Sequence, residues 1–267
     1  MSNGWGGWGR VENLLLSFKA AAQVAAGELS PLIVGGIIST YGEHPYICTL
    51  QVFTAGSWHH YCGATIFNAH NVITSAHCAD DPLKPRRIQC GKYRLQSTDE
   101  HEVTINIKTH EDWLPTGDGF PNDIALCHTE TAIPFSDFIH PLDIDDGSHG
   151  DWVGSECKVT GWGVTASGAP ANYLKKLNMT VLSNEVCEEE IGTMFGAVVY
   201  PFHICAKANL GQDTCSQDSG GPTRCYSGGR WIIVGSTSWG IGCEGRYPAV
   251  SIRLSSFYQW LVQHATS

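Results

Sequence analysis

The stretch Asp213-Thr214-Cys215-Ser216-Gln217-Asp218-Ser219-Gly220-Gly221-Pro222 is the most informative part of this 267-residue chain. It places Ser219 between an aspartate and two glycines. Glycines beside a serine allow a tight backbone turn, so the hydroxyl is exposed and main-chain N–H groups can converge near it. Because a serine hydroxyl is a weak nucleophile by itself, it needs a base to accept its proton and a carboxylate to orient that base. The stretch therefore predicts a histidine and an aspartate elsewhere in the chain.

Candidates for both partners occur in short motifs upstream. His77 lies in Val72-Ile73-Thr74-Ser75-Ala76-His77-Cys78, and Asp123 lies in Asn122-Asp123-Ile124-Ala125-Leu126. A structural histidine is the ordinary interpretation in a chain with 12 histidines, but only His77 has this Ser-Ala-His-Cys context. The apolar residues after Asp123 favour a buried carboxylate over an exposed loop position. The three side chains are therefore candidates for one catalytic group.

Two further motifs, Ile33-Val34-Gly35-Gly36 and Thr237-Ser238-Trp239-Gly240, complete a set of five. In this order the motifs resemble the trypsin/chymotrypsin family of serine endopeptidases, from Ile33 to the C-terminus. The resemblance implies an all-β fold of two packed six-stranded antiparallel barrels with a C-terminal α-helix. It also implies peptide-bond hydrolysis through an acyl-enzyme, with Ser219 as nucleophile, His77 as proton acceptor and donor, and Asp123 as orienting carboxylate.

Composition limits the partners. The chain is 42% hydrophobic and 16% charged, as expected of a folded soluble protein. Its formal net charge of −10, without a Lys/Arg-rich run, argues against nucleic acid or an anionic membrane as partner. No apolar run approaches the length of a membrane span. We expect a monomer that acts on protein or peptide substrates, is a target for protein protease inhibitors, and needs no metal or organic cofactor.

Alternating apolar and polar stretches separated by turn residues predict strands throughout the chain after Ile33. The spacing of Leu254, Phe257, Tyr258 and Leu261 predicts an amphipathic C-terminal helix. The predicted strands are Ile47 to Thr54, Tyr61 to Phe67, Val103 to Ile107, Ile124 to His128, Lys176 to Val181, Trp231 to Ser238 and Ala249 to Arg253.

Residues 1–32 have a different character from the rest. The apolar run that begins at Leu14 stops at Lys19, which is short for a secretory signal. A degenerate signal and a short amphipathic helix in a pro-segment are both open interpretations. We expect residues 1–32 to be a signal or pro-segment, and residues 33–267 to form a secreted serine protease domain with two β-barrel halves.

The chain has 11 cysteines and no Cys-x-x-Cys pair, which favours disulfides in an oxidising compartment over a zinc site. The odd total leaves at least one unpaired thiol in a monomer. Cys48, Cys90 and Cys127 fall outside the family's pattern, and we expect buried thiols there, with an extra bridge as the alternative. The resemblance implies four bridges: Cys62–Cys78, Cys157–Cys225, Cys187–Cys205 and Cys215–Cys243.

A substrate pocket follows from the resemblance. Asp213 stands six residues before Ser219, where the family has the floor of its primary specificity pocket. A buried carboxylate there selects Arg or Lys, because a buried charge requires a partner; a surface aspartate that reads no substrate is the alternative. Ala249 stands where the opposite wall usually has glycine, so its methyl group narrows the pocket. The predicted substrate-binding residues are Asp213, Ser238, Trp239, Gly240 and Ala249.

Two positions depart from the family pattern. Gln217 replaces a glycine whose N–H, together with the N–H of Ser219, forms the oxyanion hole. The N–H is kept, but the added side chain can strain the turn, and losing one such donor costs about 3–4 kcal/mol of transition-state stabilisation. Leu32 precedes Ile33, where relatives activated by trypsin have Arg or Lys. The activating cut therefore needs a different protease, or the chain stays a zymogen.

Activation is the second function that the resemblance implies. Cleavage before Ile33 frees an α-amino group that turns inward and pairs with Asp218. His60 matches a histidine that can hold this aspartate in the uncleaved form, with a surface histidine as the alternative. Lys92 replaces the first glutamate of a calcium loop, and a cation at that position disfavours Ca²⁺, so we expect no metal.

The main alternative function is a non-catalytic protease homologue that binds partners through the same cleft. Gln217 and Leu32 favour it, whereas the complete set of His77, Asp123 and Ser219 favours the enzyme. A disulfide-rich adhesion domain would explain the cysteines but not these three residues.

Overall fold

The computed structural model describes residues 36–79, 83–97, 101–115, 118–165, 168–192, 197–243 and 245–266. The N-terminal segment 1–32 and Ile33, to which the activation prediction refers, lie outside these ranges. Neither helix in the described ranges is long and apolar enough to cross a membrane.

The described chain is mostly β-strand, with two α-helices and a single 3₁₀ turn at Ala76–Ala79. The helices are α1 (Asn184–Ile191) and α2 (Leu254–His264). The strands, in chain order, are β1 (Ile37–Ile38), β2 (Ile47–Thr54), β3 (Ser57–Asn68), β4 (Asn71–Thr74), β5 (Arg86–Cys90), β6 (His101–Thr109), β7 (Ala125–Thr129), β8 (Asp143–Ile144), β9 (Glu156–Gly161), β10 (Lys175–Leu182), β11 (His203–Lys207), β12 (Pro222–Ser227), β13 (Arg230–Trp239) and β14 (Ala249–Arg253).

The first half of the chain forms a closed six-stranded barrel in the order β2-β3-β4-β7-β6-β5. All of these pairings are antiparallel. Alternate side chains of a strand point to opposite faces of a sheet, so closure directs one set into the barrel. The interior is packed by buried apolar side chains, among them Leu50, Ile66, Val72 and Ile88.

The second half forms an eight-stranded sheet in which six strands pair in a circuit. β9 pairs with both β10 and β12, and the circuit continues through β11, β14 and β13. β1 extends the sheet from β10, and β8 adds a short parallel pairing to β13. The predicted all-β architecture with a C-terminal helix is confirmed, and its two halves place several loops at one cleft.

The helices cover the sheets. In α1, the Ser183 hydroxyl accepts a hydrogen bond from the Val186 N–H at 3.3 Å, which satisfies an N–H at the helix start. In α2, the buried face consists of Leu254, Phe257, Trp260 and Leu261. Trp260 thus takes a place on this face, while Tyr258, which was expected there, is only half-buried.

The predicted strands all occur. Ile47–Thr54 and Ala249–Arg253 have the predicted bounds, and the other five differ by a few residues at their ends. The prediction missed several strands whose apolar alternation is weak or short. These are β1, β4, β5, β8, β9, β11 and β12.

Five disulfides join ten of the 11 cysteines, and Cys127 is a buried free thiol. Four bridges are those that the family pattern implies: Cys62–Cys78, Cys157–Cys225, Cys187–Cys205 and Cys215–Cys243. The expectation of buried thiols at Cys48 and Cys90 was wrong, because these two residues are bridged. They lie directly opposite each other on β2 and β5, with Cα atoms 4.1 Å apart.

We predict a single titratable thiol per chain in unfolded, unreduced protein. Replacing both Cys48 and Cys90 by alanine removes a cross-link between positions 42 residues apart, so the free energy of unfolding should fall by about 3–4 kcal/mol. Urea unfolding measures the loss, with Cys127→Ala as the control that touches no bridge. Three thiols in the unreduced wild-type chain would contradict the Cys48–Cys90 bridge.

Candidate active site

His77 and Asp123 are joined by two hydrogen bonds. The His77 main-chain N–H donates to Asp123 Oδ1 at 2.8 Å, and His77 Nδ1 lies 2.8 Å from Asp123 Oδ2. Asp123 is fully buried, whereas the His77 side chain is 22% exposed, so the imidazole can reach a substrate. A carboxylate only accepts, so the proton lies on Nδ1 of His77 and the other ring nitrogen, Nε2, is left to accept.

The second barrel supplies a third bond to the same carboxylate. The hydroxyl of Ser238, at the end of β13, donates to Asp123 Oδ2 at 2.5 Å. Asp123 follows a turn in which Phe120 and Asn122 have positive φ. The buried charge is therefore held by donors from both halves of the molecule, as a buried carboxylate requires.

The main chain of Ser219 is hydrogen-bonded to β3 of the first barrel. Its carbonyl accepts a hydrogen bond from the Gly63 N–H in β3 at 2.8 Å. Gly63 follows Cys62, which is bridged to Cys78, the residue after His77. Ser219 thus lies against the first barrel at the level of His77.

The next residue, Gly220, has to be glycine at this place. Its φ is +75°, and a Cβ would lie 2.1 Å from Thr74 Oγ1 and 2.5 Å from the Gly63 carbonyl oxygen. Gly220 N–H donates to the Thr237 carbonyl at 2.7 Å, and the Ser75 hydroxyl donates to the same carbonyl at 2.7 Å. The turn after Ser219 is therefore clamped between the segment before His77 and the strand before Ser238.

Gln217 has a backbone conformation that ordinarily favours glycine. Its φ is +75°, in the left-handed region, which costs a non-glycine residue about 1–2 kcal/mol. Among the described residues its buried Oε1 has no hydrogen-bond partner. Neither its N–H nor that of Ser219 donates to any described residue, as expected of groups reserved for a substrate oxygen.

His60 holds the Gln217 carbonyl rather than Asp218. Its Nε2 lies 3.1 Å from that oxygen and its Nδ1 lies 2.6 Å from the Thr49 hydroxyl. Because a carbonyl only accepts, Nε2 is the protonated nitrogen. Burial lowers the pKa of His60 to about 4, so it is neutral near pH 7. The surface-histidine interpretation was wrong, and in this structure the family-based pairing with Asp218 is not formed.

Asp218 is a fully buried carboxylate without a salt bridge to any described residue. It accepts hydrogen bonds from Gly163 N–H at 2.8 Å and Cys215 N–H at 3.0 Å. A Cβ on Gly161 or Gly163 would lie within 2.2 Å of one of its oxygens, so only glycine fits beside it. Burial raises the pKa of Asp218 to about 6 and outweighs the two N–H groups.

Asp213 is the second buried carboxylate of the same loop. Only 4% of the residue is exposed, and its Oδ2 accepts a hydrogen bond from the Gly245 N–H at 3.2 Å. Burial raises the pKa of Asp213 to about 6. The alternative of an exposed surface aspartate was wrong.

The residues expected around Asp213 come from β13 and β14. The Cys215–Cys243 bridge ties the loop of Asp213 to the segment after Trp239. Gly240 stands close to Ala249, since a Cβ on Gly240 would lie 3.8 Å from the Ala249 Cα. Ala249 is buried, with 7% of the residue exposed, so a narrower pocket at this residue stays a prediction.

Lys92 is buried, and its ammonium binds loop carbonyls. Nζ donates to the Ser97 carbonyl at 2.9 Å and to the Leu95 carbonyl at 3.3 Å. An ammonium already stands among oxygens that would otherwise be available to a cation, which fits the expectation of no Ca²⁺ in this loop.

The structure therefore brings together His77, Asp123 and Ser238 by direct bonds, and it binds the main chain of Ser219 and Gly220 to Gly63 and Thr237. Sequence reasoning missed the role of His60 at Gln217 and the part of Ser75 in the clamp. Ser75 stood in the quoted histidine motif, but nothing in a sequence shows that its hydroxyl binds a carbonyl 162 residues away.

A closed antiparallel barrel and a second β-sheet, with a partly exposed histidine bonded to a buried aspartate and a glycine-flanked serine bound to both sheets through its turn, are the arrangement of a serine protease. The profile of the Trypsin family matches residues 33–261, and the chain belongs to this family. It is 34% identical over 257 residues to the chymotrypsin-like serine proteinase of Haliotis rufescens, covering 93% of this chain and 97% of that protein. It is 30% identical over 240 residues to fibrinolytic enzyme, isozyme C, of Lumbricus rubellus, covering 86% and 98%.

We predict that Asp218 makes the uncut chain less stable as the pH rises from about 4 to about 6. Because its folded-state pKa is about 6, above the ordinary value of 3.8, the folded state binds the proton more tightly, and this stabilisation is lost as the proton leaves. Urea unfolding between pH 4 and pH 7 compares wild type with Asp218→Asn, and titrating groups that do not interact with Asp218 cancel in the difference. An identical pH dependence in both proteins would contradict the assignment.

Proposed function

We propose that the chain is a secreted serine endopeptidase that cleaves after Arg or Lys through an acyl-enzyme. The observation that carries the catalytic part is the His77–Asp123–Ser238 network beside the Ser219 turn. In this proposal Ser219 Oγ attacks the peptide carbonyl, and His77 Nε2 takes the hydroxyl proton and returns it to the leaving amine. Asp123 keeps the imidazole in the required tautomer and stabilises its charged form.

The main-chain N–H groups of Gln217 and Ser219 are proposed to bind the oxygen that becomes negative during attack. His60 supports this role because its hydrogen bond to the Gln217 carbonyl holds the main chain of Gln217 in place. The strained φ of Gln217 is then maintained by the surrounding contacts, as is common at functional sites. No metal or organic cofactor is part of the proposed mechanism.

Asp213 is proposed to read the substrate side chain. It is buried, and burial raises its pKa to about 6, as expected of a carboxylate without a cationic partner. An Arg or Lys side chain that reaches Asp213 would supply the missing cation, whereas an aromatic side chain would leave the charge unpaired. The relative from Haliotis rufescens is named chymotrypsin-like. We base the substrate preference of this chain on its own residue, Asp213, and not on that name.

Activation before Ile33 is proposed to act on the second buried carboxylate. The charge of Lys175 offsets only part of the burial of Asp218, whose pKa stays raised, and an α-ammonium delivered to Asp218 would complete the compensation. The pairing would lower the pKa of Asp218 below its ordinary value, so the pH dependence of the stability difference between wild type and Asp218→Asn is expected to reverse in the chain that begins at Ile33. Five disulfides support passage through an oxidising compartment and hence secretion. A monomeric state and inhibition by protein inhibitors stay predictions.

A non-catalytic homologue is the second candidate. The strained Gln217, with its buried unpartnered amide oxygen, favours it, since strain at the oxyanion donor can lower turnover. Covalent labelling by a fluorophosphonate distinguishes the two, because the label forms only where the serine is activated.

The nucleophile is tested with the chain that begins at Ile33. Ser219→Ala should reduce turnover of Arg-containing chromogenic peptides by about 10⁶-fold and abolish fluorophosphonate labelling. Ser256→Ala, an exposed serine of α2, is the matched control and should behave as wild type. Labelling that survives in Ser219→Ala, or wild type that neither turns over nor labels, would refute the catalytic proposal.

The role of Asp213 is tested by the pH dependence of specificity. The ratio of kcat/KM for Arg over Phe substrates should rise about tenfold between pH 5 and pH 7, because kcat/KM reports the free enzyme and Asp213 ionises near pH 6. His77 acts on both substrates alike, so its titration cancels in the ratio. Asp213→Asn should flatten the ratio, whereas Asp137→Asn, an exposed aspartate, should leave it unchanged. A preference for Phe at every pH would contradict the assignment.

A further inference from the structure

One sequence motif plays no part in the proteolytic site. Asn178-Met179-Thr180 is the only Asn-x-Ser/Thr triplet without proline in the 267-residue chain. Such a triplet is an acceptor for N-linked glycans in proteins that pass through the secretory pathway. A position within a strand favours burial, which would prevent glycosylation. Whether this triplet can be glycosylated therefore depends on whether Asn178 lies on the outer or the inner face of the sheet.

The structure places both functional residues of the triplet on the outer face of β10. Asn178 and Thr180 are exposed, whereas Met179 between them points inward and is 3% exposed. This alternation follows from the two-residue period of a strand. Within the described part of the chain no hydrogen bond is made by either side chain, so the amide nitrogen of Asn178 is accessible.

Asn178 borders a surface groove of about 540 Å³ on this outer face. Across the sheet Asn178 is paired with Lys158 on β9, and Tyr226 lies on β12, the strand beyond. Tyr226 is 56% exposed and packs edge-on to Trp231 at 5.2 Å between ring centroids. Lys158 and Arg224 already lie over the Trp231 ring, at 5.0 Å and 4.3 Å from its centroid.

An N-linked core suits this groove in reach and chemistry. Two strand spacings, about 10 Å, separate β10 from β12, and Tyr226 lies two residues along β12 from Arg224, the residue opposite Lys158. The total is about 12 Å, a distance that two linked sugar rings can cover. The C–H groups of a pyranose pack favourably on the electron-rich face of an aromatic ring. Because two cations already contact the Trp231 ring, the more exposed Tyr226 is the aromatic side chain of this groove that we assign to the sugar.

We propose that Asn178 carries an N-linked glycan whose first two sugars lie along this groove against Tyr226. In the reaction the Asn178 amide nitrogen attacks C1 of a lipid-linked oligosaccharide. A C1–N bond forms, the C1–O bond to the lipid pyrophosphate breaks, the pyrophosphate leaves with the electron pair, and the amide loses one proton. The proposal depends on secretion and not on catalysis, so the fluorophosphonate result has no bearing on it.

The experiment uses the full chain secreted from insect or mammalian cells behind a heterologous signal, with a C-terminal tag that carries a second Asn-x-Thr triplet. The tag reports entry into the secretory pathway. We expect a second glycan that an N-glycan amidase removes, leaving aspartate at position 178 in the peptide map. Asn178→Gln and Thr180→Ala should lose this glycan, and Thr180→Ser should keep it. A glycosylated tag beside an unmodified Asn178 would overturn the proposal.

The groove is tested separately from occupancy. Tyr226→Ala should leave Asn178 occupied but speed release of its glycan from the native protein severalfold, because the core would no longer be packed against the sheet. Tyr41→Ala, at a tyrosine that is 59% exposed in another part of the molecule, is the control and should release at the wild-type rate. Equal rates for all three proteins would overturn the packing of the glycan in the groove.

Discussion

The rest of the site depends on the buried carboxylate of Asp123. It accepts the His77 main-chain N–H, the His77 ring and the Ser238 hydroxyl, so it is bonded from both barrels. A charge buried this deeply is tolerated only when its oxygens are satisfied. The demand for three donors therefore fixes the turn that carries His77 relative to the end of β13. It also places the Ser219 turn, which is clamped between the same two segments.

The segment from Asp213 to Gly221 contains several features that are unfavourable for folding and that the proposed function requires. Two carboxylates of this segment are buried with raised pKa values, and Gln217 and Gly220 have positive φ. Asp213 and Asp218 also repel each other, which contributes to the raised pKa of Asp218 after the larger effect of burial. In the proposed function each charge is matched by a cation that arrives later: the substrate side chain at Asp213 and the α-ammonium of Ile33 at Asp218. The barrels and disulfides around the segment supply the folding stability that maintains this strained backbone.

Much of this was readable from the sequence because short motifs report local geometry. The glycines around Ser219 predicted a tight turn, and the apolar residues after Asp123 predicted its burial; the structure shows both. The Cys48–Cys90 bridge was missed because it depends on the register between β2 and β5, which alternation alone does not give. The partner of His60 was missed for a similar reason, since a bond to the carbonyl of Gln217 spans 157 residues. The exposure of Asn178 could likewise not be predicted, because it depends on which side chains of β10 point outward.

The most direct test of the account is ¹⁵N NMR of His77 in the chain that begins at Ile33. The Asp123 carboxylate should hold the ring proton on Nδ1, giving a strongly downfield-shifted proton signal that disappears in Asp123→Asn. A neutral His77 with its proton on Nε2 in the wild-type protein would contradict the claim that Asp123 organises this site.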